Sequence, residues 1–187
     1  LLTRIGGDDV LEASLSEHEG VVAWRQGRFA DAETAHRHAL ELRRRALPAE
    51  DPRIAQSLSN LGIVSNALGR RPEAATFHLD ALAVQEKALG TKHPAVARSL
   101  SNLGSVYYSD QRYQDALTVQ KRSLEILREI NGPDHPQVAS AHNNVGSDLL
   151  ALGRFDEARE NFTRSLEIKI GTGAKARVPA RIGYKAE

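Results

Sequence analysis

Ser57–Gly62 reads SLSNLG, Ser99–Gly104 reads SLSNLG again 42 residues later, and Ala141–Gly146 reads AHNNVG after another 42. Ahead of each hexapeptide stands a proline with an aliphatic residue two places on: Pro52 and Ile54, Pro94 and Val96, Pro136 and Val138. Behind each come Gly or Gln, Arg, and an Ala four places further. These are Gly69, Arg70 and Ala74; Gln111, Arg112 and Ala116; and Gly153, Arg154 and Ala158. Gly27, Arg28 and Ala32 supply a fourth copy upstream. A fixed period of this length sets the whole architecture, because one unit cannot bury its own apolar face and must stack on its neighbours.

Each unit reads as two helices. Asp51, His93 and His135 can cap the first, and the proline that follows sits where its missing N–H would be unpaired in any helix. Apolar residues then recur at helical spacing, as in Val96, Leu100, Leu103 and Tyr107. Gly69 or Gly153 can end this helix in the left-handed conformation, which predicts a strained or rearranged turn at Gln111. Second helices are expected from about Pro72 to Leu89, Gln114 to Ile130 and Phe155 to Ile170, with Gly90 and Gly132 as closing caps. Gly62, Gly104 and Gly146 let two helices approach closely, since no side chain intervenes. The fold class is therefore all-α, an α-α superhelix of four helix-turn-helix units at approximately 10–50, 51–92, 93–134 and 135–170. Residues 171–187 break the period and read as a basic tail or a truncated fifth first helix, with Pro179 and Ile182 at its start.

Residues 171–187 hold Lys175, Arg177, Arg181 and Lys185 against Glu187, a charge of +3; the whole chain is +1, so the body is −2. A mildly acidic body argues against nucleic acid, whose binding by counterion release needs a basic surface along the phosphates. There is no cysteine, which excludes disulfides and thiolate metal sites and fits a reducing, cytoplasmic setting. No apolar run is long enough to span a membrane, and residues 1–10 have no signal-peptide pattern. The absence of any Met, even at position 1, suggests a piece of a longer protein.

NLG in the first helix, GR followed by Ala at the second, and LG then HP in the linker together resemble the tetratricopeptide repeat (TPR) family. The 42-residue unit is similar to the subclass found in kinesin light chains and many bacterial proteins. The resemblance spans residues 10–170. It implies a right-handed superhelix whose first helices line a concave groove that receives a peptide or partner segment. The first unit departs from the pattern, because Ser16 and Glu19 stand where Leu58 and Leu61 stand in the second. It is either a terminal cap with a wetter face or a shifted helix.

Counted from the glycine, the groove-facing residues are expected to be Gln56, Ser59, Asn60, Ile63 and Asn66 in the second unit. The third offers Arg98, Ser101, Asn102, Ser105 and Tyr108, and the fourth Ser140, Asn143, Asn144, Ser147 and Leu150. This stripe is polar and nearly uncharged. Asn60, Asn102 and Asn144 form a ladder whose carboxamides can donate to and accept from an extended backbone. They can equally bond to neighbouring backbone and keep the units in register. With Arg98 as the one basic residue on these faces, a clamp for a C-terminal carboxylate is not expected.

Other constellations read as structural. His36 and His38 diverge on one helix, His93 and His135 sit in separate linkers, and no His pair has the i, i+4 spacing of a helical zinc site. Arg43, Arg44 and Arg45 read as a solvated face near a helix C-terminus. Gly171–Lys175 lacks the second Gly and the Lys-Ser/Thr pair of a phosphate loop. No Ser, His and Asp grouping shares one side of a unit, so no catalytic residues, cofactor or metal are expected. The leading reading is a protein-interaction module with a protein or peptide partner in its groove. The alternatives are the regulatory or localising region of a larger bacterial signalling enzyme such as a serine/threonine kinase, whose repeats this chain is similar to in style, and a self-association array.

Overall fold

A computed structural model describes residues 2–177, with side chains described for residues 8–171. Among the described residues there are eight helices and no strand: α1 (Leu2–Arg25), α2 (Phe29–Ala46), α3 (Pro52–Ala67), α4 (Arg71–Leu89), α5 (Pro94–Ser109), α6 (Tyr113–Asn131), α7 (Pro136–Ala151) and α8 (Phe155–Arg177). Helices pair within units as α1·α2, α3·α4, α5·α6 and α7·α8, and the second helix of each unit packs on the first helix of the next. The chain is an all-α superhelix of stacked helical hairpins. Helix α8 continues through Gly171 to Arg177, so the seven residues after Ile170 prolong the second helix of the fourth unit. Pro179 and Ile182 lie outside the described residues.

Helix starts follow from the predicted caps. The Asp51 carboxylate accepts from Arg53 N at 2.9 Å, and the Nδ1 atoms of His93 and His135 accept from Ala95 N and Gln137 N at 3.1 and 3.2 Å. Each occupies one of the orphan donors that open a helix. At the first-helix ends, Gly69 and Gly153 adopt φ of +77° and +73°, and Gln111 is held at +60° in the same place, the one positive-φ non-glycine among the described residues. The turn keeps its shape in the third unit, and Gln111 bears the steric cost that glycine avoids.

Two contacts build the array. Within each unit, the first-helix glycine presses its backbone against a buried or half-buried side chain 16 residues later. A Cβ on Gly20, Gly62, Gly104 or Gly146 would lie 2.5, 2.6, 2.6 or 2.8 Å from the nearest atom of His36, His78, Gln120 or Phe162. Between units, Leu40, Leu82 and Leu124 recur at one position of the second helix, each buried against the next first helix. Leu40 meets Ile54 and Leu58, Leu82 meets Val96 and Leu100, and Leu124 meets Val138 and Ala139. Leu166 is the fourth copy of this leucine and is 58% exposed, because no described helix follows α8.

Polar pairs reinforce the stacking on the outside. Arg70, at the start of α4, joins Glu33 of α2, Arg37 joins Glu73 and Arg122 joins Glu86 between successive second helices, and Lys87 of α4 joins Glu50 in the linker before α3. Such solvent-screened pairs add little to stability.

Gly62→Ala tests the intra-unit contact. Its Cβ would collide with the His78 ring, which is fully buried, so urea denaturation should show a loss of about 1–3 kcal/mol. An unchanged midpoint would mean that the helices separate without cost.

Candidate binding groove

The glycine register places equivalent first-helix side chains in rows. Two residues before the glycine stand His18, Asn60, Asn102 and Asn144; one after it, Val21, Ile63, Ser105 and Ser147; four after it, Trp24, Asn66, Tyr108 and Leu150. Ile63, Arg98, Ser105, Tyr108, Ser140, Asn143 and Leu150 are exposed, and Gln56, Asn60, Asn66, Ser101, Asn102, Asn144 and Ser147 are half-buried. Ser59 differs from expectation: it is 4% exposed and its hydroxyl is enclosed without a partner. Its position, three before the glycine, points along the array toward the next first helix. Glu17, one unit earlier, meets Ser57 and Asn60 there, and Ser101, one unit later, accepts from Asn144 Nδ2 at 3.3 Å.

The three asparagines therefore differ. Asn60 donates to Glu17 and accepts from Gln56 Nε2, and Asn144 donates to Ser101, so both link neighbouring helices or successive turns by side-chain bonds. Asn102 makes no side-chain hydrogen bond among the described residues. It lines a trough of about 490 Å³ between α5 and α7, together with His93, Arg98, Ser101, Ser140 and Asn144.

The first unit is sealed by a buried ionic cluster rather than left wet. Arg43 Nη1 donates to Glu17 at 2.9 Å, to Ser57 Oγ at 2.6 Å and to the Arg53 carbonyl at 3.0 Å. His36 Nδ1 lies 3.8 Å from the same carboxylate. Burial pushes the Glu17 carboxyl up, but His36, Arg43 and Ser57 outweigh it and hold it below the usual carboxylate range. Arg43 is thus buried, unlike exposed Arg44 and Arg45, and the basic run is solvated only in part. Ser16 is buried as well, and Glu19 is exposed.

Two smaller pockets occupy the same place in the repeat, two units apart. The first, about 100 Å³, is lined by Val21, Trp24, His36, Asn60, Ile63 and Val64. The second, about 290 Å³, is lined by Ser105, Tyr108, Ser109, Gln120, Asn144, Ser147 and Asp148. Position by position, an apolar wall has become a polar one. Val21 and Trp24 follow from the glycine count applied to the first unit, which the departures at Ser16 and Glu19 obscure. Asp148 stands where Val64 and Val106 stand in earlier units. It is 2% exposed, its Oδ2 has no hydrogen-bond partner, and burial pushes its pKa up to about 7.

The remaining histidines have local roles. His78 fills the space beside Gly62, where burial pushes its pKa down to about 4, and His38 and His142 meet Glu12 and Asn161. Among the described residues no three His, Cys, Asp or Glu side chains gather as metal ligands, and no helix is long and apolar enough to cross a membrane.

The model of the tetratricopeptide repeat family matches residues 10–87, 53–129 and 96–170. The chain belongs to the tetratricopeptide repeat family. BtubC (BKLC) from P. vanneervenii is similar to this TPR array with a TM-score of 0.82 and 22% identity, over 94% of this chain and 70% of that one. A kinesin-light-chain-type protein of Podosopora anserina with nearly identical TPR-like repeats aligns at 0.77 and 20%, over 87% of this chain and 76% of that one. Aspartyl phosphate phosphatase F from Bacillus subtilis aligns at 0.77 and 21%, over 88% of this chain and 42% of that one. At these identities the likeness is one of fold. No curated protein matches the chain in sequence.

Asp148 gives the TPR array a pH signature. The folded state holds this proton more tightly than the unfolded chain, whose reference value is 3.8. The stability it contributes is present below that value and lost as pH rises through about 7. Asp148→Val should therefore stabilise the array at neutral pH. Its advantage should grow by about 2 kcal/mol between roughly pH 5.5 and 8.5, with the His78 titration common to both forms. A pH-independent difference in melting would show that Asp148 titrates normally.

Proposed function

We propose that the array is a protein-interaction scaffold that holds an extended partner segment along the groove of its first helices. The observation carrying this reading is the third unit. Asn102 presents a carboxamide with no intramolecular partner, beside exposed Arg98, Ser105 and Tyr108. A carboxamide that offers one donor and one acceptor in line suits an extended backbone, and the neighbouring troughs offer places for its side chains. The low charge of the stripe favours recognition through hydrogen bonds over long-range attraction. Asn102→Ala should weaken binding of a groove peptide about fivefold, the worth of one hydrogen bond, with melting unchanged. Asn60→Ala should instead lower stability, since it strips a partner from Glu17. If Asn102→Ala and Tyr108→Ala both leave a partner's affinity intact in a folded protein, the groove is not its site.

A second reading, self-association, is favoured by the open face of α8. Phe155, Leu166 and Ile170 are all more than half exposed. Sedimentation at micromolar concentration would then give a dimer that Leu166→Glu returns to monomer; a monomeric parent protein removes this reading.

A further inference from the structure

Of the two equivalent pockets in the array, the second has a chemistry that the fold does not require. Val64 and Val106 show that an apolar side chain satisfies the packing two residues after the glycine; both are buried. Asp148 places a carboxylate there instead, and no Lys or Arg lines the pocket to balance it. Enclosing a charge without a partner is costly, so a fold selected for packing alone has no use for it.

The hydrogen-bonding inventory gives the chemistry of the missing partner. Gln120 Nε2 donates to the Ser101 carbonyl at 3.2 Å, and Asn144 Nδ2 donates to Ser101 Oγ at 3.3 Å. The hydroxyls of Ser105, Ser109 and Ser147 donate to carbonyls four residues earlier, at 3.1, 2.9 and 3.0 Å. The three serine hydroxyls thus commit their only O–H within the protein, and each carboxamide commits one of its two N–H groups. The acceptors are unsatisfied: Gln120 Oε1 and Asp148 Oδ2 are both buried without a partner, and each serine oxygen retains a lone pair. A pocket of unsatisfied acceptors around one carboxylate calls for a cation bearing several N–H groups. A metal ion would want more anionic ligands than one carboxylate. Tyr108, 42% exposed at the pocket, offers an aromatic face to the stem or head of such a side chain.

We propose that the pocket between α5, α6 and α7 receives the ammonium or guanidinium group of a lysine or arginine in the partner segment, with Asp148 and Gln120 Oε1 as its acceptors. This rests on the groove being a peptide site and adds the side chain that it selects. The equivalent pocket at Val21, Trp24 and Ile63 takes an apolar residue of the same segment, so the partner is read by two unlike anchors.

The test uses the whole chain and a display library of randomised peptides. Strong binders should share a Lys or Arg at a fixed offset from an apolar residue. Its replacement by norleucine should cost about tenfold in affinity on the parent protein and nothing on Asp148→Val, whose fold the valines at 64 and 106 support. Binders that are sensitive to Asn102→Ala but show no fixed basic residue would overturn the pocket assignment and leave the groove reading standing. If no selected peptide responds to Asn102→Ala or Tyr108→Ala, the groove reading falls, and titration with N-acetyl-arginine amide decides the pocket alone. Amide NMR shifts confined to the α5–α7 pocket and lost in Asp148→Val support it. Equal shifts with N-acetyl-norleucine amide, or none, overturn it.

Discussion

Everything in this array hangs on a contact that needs an absent side chain. In each unit the first helix offers a glycine, and the second helix offers a residue 16 places later that lies against its backbone. Any Cβ would push the helices apart, so the glycine fixes their separation and rotation together. The partner is free to vary, as His36, His78, Gln120 and Phe162 show, because what the contact demands is volume. With the rotation fixed, positions counted from the glycine acquire constant meanings. From the second unit on, the residue two after it is buried; in all four units those one and four after it are exposed or half-buried, and the one three before it points to the next unit.

The same contact explains why the units are both alike and separable in chemistry. Stacking depends on a leucine of each second helix entering the next first helix, and this term is nearest-neighbour in character. A change of groove residue in one unit leaves the other units' stacking intact. The first unit uses that freedom to bury Glu17 and Arg43 in a mutually satisfied cluster. Truncating one member would strand a buried charge, whereas replacing both by apolar groups need not be harmful.

Much of this was legible in the residues alone. Period, caps, glycine contacts and the strained turn at Gln111 are properties of one unit, written four times over, so repetition separates signal from accident. Ser59, Arg43 and Glu17 were harder, because their burial depends on which neighbour reaches across from an adjacent unit. A pattern read within one unit cannot show that Ser59 faces the next helix while Asn102 is left without a partner. Asp148 was visible as a departure from Val64 and Val106, but its enclosure emerges only when α5, α6 and α7 are placed together. The extension of α8 through Gly171 and Gly173 also ran against local propensity, which disfavours glycine inside a helix.

Departures from a repeat are where an array's side-chain specificity must lie, since residues that every unit shares cannot tell one position of a partner from another. One buried position shows this: valine at 64 and 106, and aspartate at 148. If burial alone set the residue, the aspartate would be the worst choice of the three, because its ionised form loses hydration and gains no hydrogen bond. Its cost is recovered only when something supplies both charge and donors. A basic side chain does so at the moment of binding, and the energy that destabilises the free pocket then becomes a difference between the right partner and a wrong one. An apolar side chain entering the same space would leave the carboxylate still unpaired. Selectivity in this pocket thus comes from rejection as much as from attraction.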